Sequence, residues 1–105
     1  DNIVTFAYGT LPNMGDTIDI DLTKMDDWSG GLIYINAEKA NKEGNSSIGL
    51  YTRDAFITLL ETTNNSVATF MLSDDGQLNI KSIVNESIDY VIKIIKMIST
   101  VTQIP

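Results

Sequence analysis

The sequence predicts an all-β fold, a β-sandwich of the jelly-roll type with about eight short antiparallel strands. Three observations predict it. Apolar and polar residues alternate over short runs. Turn-forming residues separate those runs at fairly even spacing. Isoleucine, valine and threonine, whose branched side chains suit strands, recur along the chain.

Taken in order, residues 2–8 (NIVTFAY) are strand formers, and GTLPNMGD ends them with two glycines and a proline. Residues 16–22 (DTIDIDL) alternate cleanly. Ile18, Ile20 and Leu22 point one way, and Thr17, Asp19 and Asp21 the other, as in a strand with one wet face. The loop TKMDDWSG carries Asp26, Asp27 and Trp28. Residues 31–37 (GLIYINA) read as a strand buried on both faces, and EKANKEGNSS as a polar loop. Residues 48–53 (IGLYTR) and 55–61 (AFITLLE) are two more strands, with a turn at Thr63-Asn64-Asn65-Ser66. In residues 69–82 (TFMLSDDGQLNIKS) two alternating runs flank Asp74-Asp75-Gly76. This is a hairpin signature in which Gly76 supplies the positive φ of a tight turn.

The segment SIDYVIKIIKMI, residues 87–98, carries two periods at once. Ile88, Val91, Ile95 and Ile98 recur at helical spacing, and Asn85 would serve as an N-cap. Read as a strand, Ile88, Tyr90, Ile92 and Ile94 share one face, and Asp89, Val91, Lys93 and Ile95 the other. The density of β-branched residues favours the strand, with a helix as the alternative.

The 105 residues suit one domain, and 43% hydrophobic content is enough for a core. No internal boundary is evident, and the opening at Asp1 leads us to expect a piece of a longer chain. With 14 acidic against 7 basic residues, the net charge of −7 argues against nucleic acid and against anionic lipid as partners. No apolar run reaches the ~18 residues of a membrane span, and two lysines in YVIKIIKMI make a poor membrane-surface helix. With no histidine and no cysteine, Ser-His-Asp and Cys-His nucleophiles are excluded, as are histidine zinc sites. No phosphate-cradling glycine loop is present. An enzyme is therefore not expected. Paired carboxylates could suggest glycoside hydrolysis, but any acidic all-β chain has such pairs.

Two groups are candidates for ligand recognition. Trp28 could stack on a sugar face while Asp26 and Asp27 accept hydroxyl hydrogen bonds. Its bland alternative is a plug at one end of the sandwich. Tyr51 and Arg53 alternate on IGLYTR and could both face outward, or Arg53 could simply pair with a carboxylate. No cofactor and no metal site are expected. Calcium is the one ion that Asp16, Asp19, Asp21, Asp74 and Asp75 could begin to hold, although the calcium loop DxDxDG is missing.

Self-association is the firmer expectation. GLIYINA, AFITLLE and VIKIIKMI are apolar on both faces, and a two-layer sandwich buries only one layer. Ile92, Ile94, Ile95 and Met97 are expected to be split between the chain's own core and a subunit interface.

Four segments, DTIDIDL, GGLIYI, SVATFMLSDDGQLNIKS and SIDYVIKIIKM, occur in an order that resembles the C-terminal tip domains of bacteriophage tail fibres and related phage receptor-binding proteins. They span most of the chain between Gly15 and Met97. The resemblance implies a small trimeric β-sandwich that ends a fibre on the virion and binds a saccharide or protein of the host cell surface. The 8% aromatic content departs from the richer sets such tips often carry. Two other classes fit the same strands: a structural module for virion assembly, and a carbohydrate-binding module of a larger secreted bacterial protein.

Overall fold

The structure, a computed structural model, describes residues 3–24, 30–52, 55–73 and 75–96. Its strands are β1 (Ile3–Leu11), β2 (Thr17–Asp21), β3 (Gly31–Glu38), β4 (Gly44–Thr52), β5 (Ala55–Glu61), β6 (Ala68–Leu72), β7 (Gln77–Ser82) and β8 (Ile88–Lys96). One 3-10 turn, Leu22–Lys24, follows β2. All pairings are antiparallel. A five-stranded sheet runs β1-β8-β3-β4-β5 and a three-stranded sheet β2-β7-β6.

This is the all-β sandwich that the alternation predicts. The first strand pairs with the last and the second with the second-last, as in jelly-roll wrapping. β3, β4 and β5 then form a plain meander in the larger sheet, while β6 joins the smaller one. Residues 88–96 are strand because β8 lies between β1 and β3 and feeds both ladders. A helix there would leave β1 without a backbone partner and β3 with β4 alone.

The core lies between the sheets. Ile33, Ile35 and Ala37 of β3 and Ile88, Tyr90, Ile92 and Ile94 of β8 face Ile20, Leu78, Ile80 and Ala68 of the smaller sheet. Fully burying each such aliphatic side chain contributes roughly 1.5–3 kcal/mol. The β6-β7 hairpin closes as its sequence requires, with Gly76 at φ 85° and its N–H donating to Ser73 O at 3.0 Å.

Three expectations are corrected. β3 is buried on one face only, because Leu32, Tyr34, Asn36 and Glu38 on its outer side are merely half-buried. The polar stretch EKANKEGNSS is a loop only in part. Its last residues belong to β4, where Asn45 and Ser47 face inward. Asn45 is tolerated there because its amide accepts from Val67 N (2.8 Å) and Ala68 N (3.2 Å) and donates to Ala68 O (2.9 Å). It latches one sheet to the other. Finally, Tyr51 does not face outward. It is 4% exposed, tilted against Phe56 with ring centroids 6.3 Å apart, and lies over Gly31.

Candidate functional site

Two outer faces of opposite character follow from the strand registers. On the five-stranded sheet, Ile3 pairs with Ile95, Ile95 with Leu32, Leu32 with Leu50, and Leu50 with Ile57. One row of apolar side chains therefore crosses all five strands. The next row reads Thr5, Lys93, Tyr34, Ile48 and Leu60. Ile57 is 61% exposed and Leu60 73%. A groove of about 370 Å³ lies here, lined by Tyr34, Ser46, Ser47, Ile48, Leu60, Glu61 and Thr62. Farther along the strands comes a mixed row, Tyr8, Val91, Asn36 and Ser46, and then a polar one, Thr10, Asp89 and Glu38.

The outer face of the three-stranded sheet is polar. Its rows are Thr17–Lys81–Thr69 and Asp19–Asn79–Met71, followed by the pair Asp21–Gln77. Asn79 Nδ2 donates to Thr17 Oγ1 at 2.6 Å and to Asp19 Oδ1 at 2.8 Å. Gln77 Nε2 donates to Asp21 Oδ1 at 3.1 Å. Thr23 donates to the same oxygen twice, from its hydroxyl at 2.5 Å and its backbone N–H at 3.0 Å. These bonds, led by the Thr23 hydroxyl, hold the Asp21 carboxyl below the usual carboxylate range. An open depression of about 320 Å³ is lined by Asp19, Met71, Leu72, Ser73, Gln77 and Asn79.

Of the residues singled out from the sequence, Asp26, Asp27, Trp28, Arg53, Asp74 and Met97 lie outside the described residues. Tyr51 belongs to the core edge rather than to a surface patch. The proposed interface set divides. Ile92 and Ile94 are core, while Ile95 lies in the outer apolar row. Among the described residues no group of three or more Asp, Glu, His or Cys side chains could hold a metal ion. The sequence reading had not connected Gln77 and Asn79 with Asp19 and Asp21. The signal was present, since QLNIK alternates as cleanly as DTIDIDL, but only pairing β2 with β7 brings amides and carboxylates together.

No family model matches the chain, and no curated protein matches it. Among solved structures it is similar to the tailspike protein of Acinetobacter phage vB_ApiP_P1, at 12% identity and a TM-score of 0.41. That likeness covers 81% of this chain and 20% of the tailspike chain, so the chain spans about a fifth of that protein's length. At this level the likeness carries no argument about function.

Proposed function

We propose that this chain is a non-enzymatic attachment module of a phage particle, working as a homotrimer and recognising a saccharide or protein on the host cell surface. The observation that carries the reading is the apolar row from Ile3 to Ile57, which crosses the whole outer face of the larger sheet. Five strands at ~4.8 Å spacing make it roughly 20–25 Å wide. With the adjoining Tyr34, Ile48 and Leu60 it forms one contiguous apolar face in which Ile3, Leu50, Ile57 and Leu60 are exposed, and a contiguous exposed apolar patch marks an interaction surface. In a trimer three copies of this face turn toward the three-fold axis and cover one another, and closed symmetry leaves none exposed. Three-fold closure and a place on the virion come from the order of segments that resembles fibre tips. Several weak sites on one trimer then bind a cell surface through avidity. The same apolar face also suits a purely structural assembly module, which would bind no cell.

Light scattering coupled to gel filtration tests the assembly, with three chains per particle expected. A variant carrying both Ile57→Asp and Leu60→Asp should run as one chain with an unchanged β-sheet spectrum. A wild-type mass of one chain at micromolar concentration would overturn the reading. Fluorescently labelled wild-type chain should bind cells within a panel of bacteria. Trimers that bind none leave the assembly module.

A further inference from the structure

We propose that the outer face of the three-stranded sheet is a saccharide-binding site, built on Asp19, Asp21, Gln77 and Asn79 with Met71 as its apolar contact. The proposal rests on the attachment reading and assigns recognition to a face distinct from the assembly face.

The chemistry of the array selects the ligand. Two carboxylates stand beside two carboxamides, Asp19 with Asn79 and Asp21 with Gln77, in adjacent rows of the β2-β7 ladder. A carboxylate only accepts, whereas a carboxamide both donates and accepts. Both Nδ2 protons of Asn79 are taken by Thr17 and Asp19, so the face offers a ligand acceptors at Asp19, Asp21 and Asn79 Oδ1 and a donor at the second Gln77 Nε2 proton, at cross-strand spacing of about 5 Å and about 6.7 Å along each strand. A cation would need acceptors alone, and an anion donors alone. A hydroxyl is donor and acceptor at one atom, and a ring bearing several hydroxyls matches such an array. Lys81 in the neighbouring row adds a donor and works further against a cation.

Two further observations point to the same place. The open depression of about 320 Å³ lies there, large enough for a small ligand by the ~300 Å³ at which such sites begin. Met71 lies directly across the ladder from Asn79 and is 68% exposed, an apolar side chain in a row of polar ones. A flexible thioether left in water beside amides and a carboxylate suits the C–H face of a sugar ring. The amides are also held in place. Asn79 is fixed by Thr17 and Asp19, and Asp21 by Thr23, so little side-chain entropy is lost when a ligand arrives.

The test uses the chain in its native assembly on an array of neutral oligosaccharides and on whole bacterial cells. The cells are intact, periodate-oxidised to destroy vicinal diols, or protease-treated. Wild-type chain should bind at least one array saccharide, and its cell binding should survive protease and be lost after periodate. Asn79→Ala and Gln77→Ala should each weaken binding about tenfold, the loss of one or two hydrogen bonds. Met71→Ala should weaken it as well, with particle mass and β-sheet spectrum unchanged throughout. Cell binding lost to protease but not to periodate would overturn the saccharide assignment while leaving the attachment reading intact. Saccharide binding unmoved by all three variants would overturn the placement of the site. A wild-type trimer that binds neither array nor cells would remove the attachment reading and this site with it.

Discussion

Asn45 shows at the residue scale how one polar side chain can organise two sheets. Its carboxamide satisfies the N–H groups of Val67 and Ala68 and the carbonyl of Ala68, in a buried position. Asn45→Ala leaves all three backbone groups without that partner. It should lower unfolding stability by roughly 2–3 kcal/mol, the desolvation cost of stranded buried groups, read as a lower urea midpoint. A midpoint unchanged would mean that water replaces the amide. Asp21 is the second test at this scale. Its carboxyl is held below the ordinary range first by the Thr23 hydroxyl, then by the Thr23 backbone N–H, with Gln77 and the charge of Lys24 adding less and desolvation opposing. The unfolded chain therefore takes up the proton at higher pH than the folded one. The stability this group contributes is present above its unfolded value and is lost as pH falls through the lowered folded value. Thr23→Val should raise the Asp21 midpoint in an NMR carboxyl titration, and an unmoved midpoint would refute the assigned cause.

Among the strands, β4 breaks the usual pattern. Its inward residues are Asn45, Ser47, Gly49 and Tyr51, and its outward ones include Ile48 and Leu50. An apolar-out strand in water is costly unless something covers it. Its neighbour β5 is the edge of the sheet and carries AFITLLE without lysine or proline, so that only Glu61 and the register shift at Ile48/Gly49 blunt this edge. Both features lie on the face assigned to assembly. The β6-β7 hairpin tests local structure instead. Gly76 has φ 85°, where a β-branched side chain is strained. Gly76→Val should therefore cost about 1 kcal/mol or more, measured by thermal or urea unfolding. A neutral result would mean that the turn adopts another conformation.

For the whole molecule, association and stability are linked. A particle held together through the outer apolar face should melt at higher temperature as chain concentration rises, since assembly binds only folded chains. Scanning calorimetry over a hundredfold range of concentration measures this. The dependence should vanish in the Ile57→Asp, Leu60→Asp variant, whose chain should still fold because both side chains lie largely outside the core. A wild-type melting temperature independent of concentration would place the association elsewhere or remove it.

The sequence by itself determined the all-β class, the positions of most strands and the Gly76 turn. These depend on short-range chemistry: alternation with period two, β-branched side chains, and the φ freedom of glycine. It determined the polar face of DTIDIDL for the same reason. Tertiary structure alone decided which strands pair, and hence every property that spans two strands. The apolar row from Ile3 to Ile57 exists only through four registers, and so do the amide–carboxylate pairs of β2 and β7. It also decided that Tyr51 turns inward and Asn45 is buried. Alternation says that neighbours face opposite ways but not which way is in. On β4 the answer was set by hydrogen bonds to Val67 and Ala68, more than twenty residues away.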